Sequence, residues 1–189
     1  MTKKEMRREF IKRRDHQTQT ELDAKSEEIC RKLFSLELMQ QASDVLLYSS
    51  YSSEVQTDPI FNTVRRMRKR AYFPKVEDSE LVYYRVDDLA ELQVGYHGIM
   101  EPFMLRKAAG DWLYTAVAII PGVCFSREGH RIGYGKGYFD RFLARYPDIF
   151  TIGIGYELQL TDHIPAEPQD QLLNAFVSEE EILVFQKEK

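Results

Sequence analysis

Residues 116–120 read Ala-Val-Ala-Ile-Ile and carry no charge, and Pro121 and Gly122 end the run. A short apolar segment stopped this abruptly predicts a buried strand, and an uninterrupted apolar strand belongs in a parallel sheet covered on both faces. A loop rich in glycine and cations follows, with Gly129, Arg131, Gly133, Gly135, Lys136 and Gly137. Tyr138, Phe139, Asp140, Arg141, Phe142 and Leu143 then open a helix, with Phe139, Phe142 and Leu143 on one face.

Strand, glycine loop and helix start together suit an anion. Glycine lets backbone N–H groups approach a phosphate, and a helix N-terminus adds unpaired N–H groups and a positive partial charge. Arg131 and Lys136 add full charges. The glycines are spaced G-x-G-x-G, so this is not the G-x-G-x-x-G dinucleotide fingerprint; nor is it a Walker A loop, because glycine follows Lys136. By spacing alone, a surface loop carrying solvated charges remains the competing reading.

The rest of the chain alternates helices and strands. Residues 2–14 predict a helix, with Met6 and Phe10 one turn apart among Lys3, Lys4, Arg7, Arg8, Lys12, Arg13 and Arg14. Such a basic face is solvated, binds nucleic acid or reaches a polyphosphate. Thr20 to Asp23 resembles a capping box, opening a second helix to about residue 40. A strand at 45–48 ends in a polar turn. Thr57 or Asp58 caps a third helix with Pro59 at its first position. Residues 71–74 and 81–84 predict short strands, Asp87 caps a brief turn at 88–92, and 95–110 is irregular, a loop that could lie over a site. Trp112 is expected in the core. Residues 150–156 predict a buried strand, with Gly153 and Gly155 marking close backbone packing. Ser178 and the three glutamates after it predict a capped C-terminal helix.

This alternation predicts an α/β fold: a single domain over 1–189, with a mostly parallel sheet and helices on both faces in a Rossmann-like three-layer arrangement. Ligands in such sheets sit beyond the carboxyl ends of the strands, which singles out the loops at 49–56, 121–137 and 156–170. The chain has 189 residues, 43% of them hydrophobic and 30% charged, enough for one core. A net charge of −4 argues against a nucleic-acid partner, and no apolar run is long enough for a membrane span. The two cysteines, Cys30 and Cys124, form no ligand pattern and are expected as free thiols in a reducing cytoplasm.

The stretch PGVCFSREGHRIGYGKGYFDR resembles the signature of the 5-formyltetrahydrofolate cyclo-ligase family, also called 5,10-methenyltetrahydrofolate synthetases. The resemblance extends almost end to end. It includes Lys4-x-x-x-Arg8, the segment from Glu54 to Thr57, the pair Glu101-Pro102, and Ile164-Pro165 leading to Asp170. There are departures: Gln56 and Asn174 stand where the family commonly has acids, Phe139 replaces the commoner Tyr, and Tyr114-Thr115 lacks an Asp.

The resemblance implies an ATP-dependent ring closure that converts 5-formyltetrahydrofolate to 5,10-methenyltetrahydrofolate, releasing ADP and phosphate. It implies Lys4, Arg8, Arg131, Ile132, Gly133, Tyr134, Gly135, Lys136, Gly137, Tyr138 and Phe139 as ATP contacts. Tyr51, Glu54, Gln56 and the stretch from Tyr134 through Gly135, Lys136 and Gly137 to Tyr138 fall on the folate side. Lys136 and Arg131 take the catalytic positions, and Asp140 and Asp170 those of Mg²⁺ ligands. The partners implied are the two small molecules, acting on a cytoplasmic monomer without nucleic acid or membrane. Two other readings stay open: an enzyme of the same fold acting on another formylated molecule, and a non-catalytic module binding nucleic acid or an acidic partner through the basic helix.

Overall fold

In the computed structural model, which describes residues 1–106 and 116–185, the uncharged run at 116–120 is the middle strand of a seven-stranded sheet. Trp112 lies outside the described residues. In chain order the elements are α1 (Lys3–Asp15), α2 (Gln19–Leu33), α3 (Glu37–Gln41), β1 (Asp44–Leu46), α4 (Asp58–Arg66), β2 (Arg70–Glu77), β3 (Glu80–Val86), β4 (Leu92–Val94) and β5 (Met100–Pro102). There follow β6 (Ala116–Ile120), β7 (Cys124–Ser126), β8 (Arg131–Ile132), α5 (Tyr138–Arg145), β9 (Phe150–Ile154), β10 (Leu160–Thr161), β11 (Ala175–Val177) and β12 (Ile182–Val184).

The sheet order is β12-β11-β9-β6-β1-β2-β3. The five inner strands are parallel, and each edge is closed by an antiparallel strand, β12 on β11 and β3 on β2. The fold is thus the mostly parallel α/β sheet expected. Strand periodicity sorts β6 cleanly between the two faces. Val117 and Ile119 pack with Ile29, Leu33, Ile60 and Val64 of α2 and α4. Ala116, Ala118 and Ile120 pack with Phe125, Phe142, Leu143 and Phe176 on the α5 side.

Helix α1 sits apart from both faces. Its Met6 and Phe10 bury against Val123, Cys124, Ile132 and Ile164, which lie around the loop after β6. The helix starts where sequence places it because Thr2 and Glu5 form a reciprocal capping box. In α2 the box is Thr18 with Glu21, two residues before the expected one, and the helix ends at Leu33 before the short α3.

Three sequence expectations change. The Ser178 box opens no helix: the Ser178 side chain caps a turn by accepting from the Glu180 and Glu181 N–H groups, and β12 then pairs with β11. The apolar Ile182, Leu183 and Val184 complete a strand ladder there, an outcome a local capping pattern does not reveal. The first half of the glycine stretch is a β7–β8 hairpin, joined by β10. The 95–110 segment is not wholly irregular, since β5 pairs with β4. Gly153 and Gly155 are tightly enclosed as expected: a Cβ on either would come within 2.6–2.8 Å of Leu173 or Phe125.

Candidate active site

The glycine loop joins β8 to α5, in the segment that continues from the carboxyl end of the central strand. Gly135 and Gly137 hold φ values of +98° and +68°, which only glycine adopts without strain. Gly137 offers no side chain to cap α5, so the helix opens towards the loop with no side-chain acceptor on its first turn. From β8, Arg131 is buried beneath the loop, and its Nη2 donates to Asp140 Oδ1 at 2.9 Å. Burial pulls the guanidinium below its usual pKa, against the opposing pull of Asp140 and Asp170. Its Nε is buried and finds no acceptor among the described residues. Phe139 lies under the same guanidinium, 5.7 Å from ring centre to Cζ.

Helix α1 covers the loop with one face. Arg7 Nε donates to the Gly133 carbonyl at 2.7 Å, and a Cβ on Gly135 would lie 3.5 Å from the Arg7 guanidinium. Lys3 Nζ donates to both oxygens of Asp170, at 2.8 and 2.6 Å, and pairs with Glu167 at 3.0 Å. Burial would lower the Lys3 pKa, but these carboxylates hold it above its usual value. Lys4 and Arg8 are exposed, and the structure does not bring them to the loop. The Lys-x-x-x-Arg pair that faces it is Lys3 and Arg7, one position earlier. The buried Met6 and Phe10 fix the rotation of the helix, and positions 3 and 7 share their face whereas 4 and 8 are turned about 100° away.

On the other side of the loop stands Glu54, buried in the turn after β1. Its Oε2 accepts from the Tyr51 N–H at 2.9 Å, and its carboxyl lies close enough to the Tyr134 hydroxyl for the two to interact electrostatically. Burial raises the Glu54 pKa, which Arg14 counteracts. Tyr134 belongs to the glycine loop and is about half exposed, and burial of its hydroxyl pushes its pKa up to about 12. Tyr51 is exposed. Gln56 is half-buried, its Nε2 donating to the Glu54 carbonyl at 2.9 Å.

The remaining expected site residues divide. Lys136 is exposed and makes no side-chain hydrogen bond among the described residues. Tyr138 lies 5.2 Å from the Arg141 guanidinium, with Tyr96 of the β4–β5 turn near its hydroxyl. Ile132 is core: its side chain packs with α1, and its carbonyl accepts from the Val123 N–H at 2.7 Å. Asn174 is structural, its Oδ1 accepting from both N–H and hydroxyl of Thr151 at 2.9 Å. Sequence reasoning passed over Arg14, which is 2% exposed and donates from Nη2 to the Tyr134 hydroxyl at 2.6 Å. Its position four residues after Phe10 was the available signal.

Asp140 and Asp170 both act on the Arg131 guanidinium, and each is ion-paired with a cation, Asp140 with Arg131 itself and Asp170 with Lys3. No group of three or more metal-ligating side chains gathers among the described residues. Two carboxylates are the complement that suits a magnesium ion carried in on phosphate oxygens, since such ions keep most of their other ligands as water or phosphate. A cavity of about 310 Å³ opens beside Asp170, between Leu143 of α5, Tyr146 just past its end, and Leu172.

A cation-lined glycine loop beyond the carboxyl ends of a parallel sheet defines an α/β enzyme that handles small anionic substrates. Residues 1–179 match the model of the 5-formyltetrahydrofolate cyclo-ligase family, and the chain belongs to that family of enzymes. It is 29% identical over 178 residues to a probable 5-formyltetrahydrofolate cyclo-ligase of Schizosaccharomyces pombe, covering 86% of this chain and 87% of that one. It is also 29% identical over 142 residues to the Escherichia coli 5-formyltetrahydrofolate cyclo-ligase, covering 72% and 78%. Among solved structures, the 5,10-methenyltetrahydrofolate synthetase of Aquifex aeolicus superposes with a TM-score of 0.88 at 32% identity, covering 100% of this chain and 95% of that one.

Proposed function

We propose that the enzyme closes the ring of 5-formyltetrahydrofolate at the expense of ATP, forming 5,10-methenyltetrahydrofolate, ADP and phosphate. One observation carries this reading. Tyr134 sits within the glycine loop while its hydroxyl accepts from Arg14, whose Nε donates to Ser53 next to the buried Glu54, so one arginine links the anion-binding turn to the turn that carries a buried carboxylate. A γ-phosphate held by the loop and a pterin held by Glu54 would then meet across Tyr134.

The formyl oxygen is a poor leaving group. Its attack on the γ-phosphorus forms the new P–O bond as the bond to ADP breaks. N10 then adds to the formyl carbon and releases its proton to water, and the phosphate departs with the former formyl oxygen. The protein's task is positioning and charge neutralisation. Lys3, Arg7 and Lys136 supply cations to the phosphates, and the loop N–H groups supply donors. Arg131 stands beneath the loop as a buried cation for the transferred group. Glu54 accepts from the pterin amino and ring N–H groups, with Tyr51 and Gln56 at the rim. Asp140 and Asp170 would hold Mg²⁺, which when bound neutralises phosphate charge. The same reading has the protein acting as a cytoplasmic monomer; none of the helices among the described residues is long and apolar enough to cross a membrane.

Mixing the protein with 5-formyltetrahydrofolate, Mg²⁺ and ATP should raise the near-ultraviolet absorbance of the methenyl product. A folded protein that gives no rise, or gives the same rise without ATP, would overturn the reading.

A further inference from the structure

Arg14 is the penultimate residue of α1 and is almost wholly enclosed, at 2% exposure. Its Nε donates to Ser53 Oγ at 2.9 Å and its Nη2 to the Tyr134 hydroxyl at 2.6 Å. Ser53 in turn donates to Asp15, and the Tyr134 hydroxyl lies in electrostatic reach of the Glu54 carboxyl. Arg14 Nη1 is buried too, with no acceptor among the described residues. For stability alone, an apolar side chain commonly serves such a position as well as a buried cation does. An arginine with one unmatched nitrogen, set beside a buried carboxylate, therefore points to function.

We propose that Arg14 is a positioning residue for folate binding: its guanidinium fixes Ser53 and Tyr134 so that Glu54 meets the pterin as an ionised acceptor. The proposal rests on the reading above, in which Glu54 receives the folate. It makes α1 a two-ended clamp. Lys3 and Arg7 face the glycine loop at one end, and Arg14 sets the carboxylate at the other, 11 residues along the same helix face.

The groups facing Glu54 come from four elements. They are Arg14 from α1, Tyr134 from the glycine loop, Tyr48 beyond β1, and Tyr156 beyond β9, whose hydroxyl donates to the Glu54 carbonyl at 3.2 Å. The Tyr51 N–H adds a backbone donor to Oε2. Arg14 is the cation among them. Burial drives the Glu54 carboxyl towards its neutral form, and Arg14 opposes this. Without Arg14 the carboxyl would protonate at a higher pH and stop accepting from the pterin.

The test is steady-state kinetics of the full chain with 5-formyltetrahydrofolate and Mg-ATP, from acid to neutral pH, on wild type, R14M, R14K, E54Q and R14M/E54Q. In R14M the folate KM should rise about tenfold, the scale of one lost charge-assisted contact, while the ATP KM stays at its wild-type value. The acid limb of kcat/KM for folate should move up by about one pH unit. In the E54Q background, adding R14M should change the folate KM little, because the group through which Arg14 acts is gone. R14K keeps the charge but cannot reach both Ser53 and Tyr134, so it should raise the folate KM while leaving the acid limb near its wild-type position.

An unmoved acid limb in R14M, an ATP KM that rises with the folate KM, or full additivity with E54Q would each overturn the proposal. If R14M does not fold, R14K decides: a wild-type folate KM in that variant is equally fatal. An inactive wild type, or an E54Q with unchanged folate KM, would instead remove the reading of Glu54 on which the proposal stands.

Discussion

The Lys3 ammonium lies within 2.8 Å of both oxygens of Asp170, fastening the first helix to the loop before the last parallel strand. The pair joins residues 167 positions apart and sets a cation next to a carboxylate proposed for Mg²⁺. Phosphate binding would therefore draw on Lys3 and Arg7 rather than on their neighbours. Lys3→Ala and Arg7→Ala should each raise the ATP KM about tenfold, the loss of one charge-assisted contact. Lys4→Ala and Arg8→Ala should stay near wild type. Equal effects at positions 3 and 4 would show that the rotation of α1 does not select the phosphate ligands.

Glycine acts for two different reasons along this chain, and alanine separates them. At Gly137 the φ of +68° is the obstacle, so Gly137→Ala should cost about 1 kcal/mol and raise the ATP KM by distorting the loop. At Gly153 the obstacle is space, with Leu173 Cδ1 2.6 Å from the site of a new methyl. Gly153→Ala should cost about 2 kcal/mol in urea denaturation and leave both KM values unchanged. An ATP KM that responds to Gly153→Ala and not to Gly137→Ala would reverse the assignment.

Asp44 begins β1 at the end of the sheet away from the site. It is fully buried and accepts from Arg70 Nε at 2.6 Å, Arg70 Nη2 at 2.7 Å and the Tyr72 hydroxyl at 2.9 Å. Asp44→Ala leaves a buried phenol and a cation without this acceptor, and should cost about 3 kcal/mol. Turnover per folded molecule should be preserved. Loss of turnover at full stability would mean that the two ends of the sheet are coupled.

Both thiols are held protonated by burial, with the Cys124 pKa pushed up to about 12 and that of Cys30 also raised. The thiolate is the reactive form, so at about pH 8 a thiol reagent should label neither residue in the native protein. Two equivalents should react once denaturant unfolds the chain. Prompt labelling of the native protein would show that these positions open readily.

Much of the architecture could be read from residue order. The uncharged runs at 45–48, 116–120 and 150–156 each read as a strand, and each contains or overlaps an inner strand of the parallel sheet, β1, β6 and β9. What escaped was whatever depended on phase or on distant partners. Lys3-x-x-x-Arg7 and Lys4-x-x-x-Arg8 have identical spacing, and only the buried Met6 and Phe10 decide which pair turns inward. The Ser178 pattern reads as a helix start until Ala175 to Val177 offers Ile182 to Val184 a partner. Arg14 was hidden by its company: in a run of cations, a side chain that is buried looks like those that are solvated.

The packing of α1 also orders events during synthesis. Met6 and Phe10 leave the ribosome long before Val123, Cys124, Ile132 and Ile164, the side chains that cover them. Until then the nascent helix carries an unpaired greasy stripe within a strongly cationic segment, the kind of surface that chaperones guard during translation.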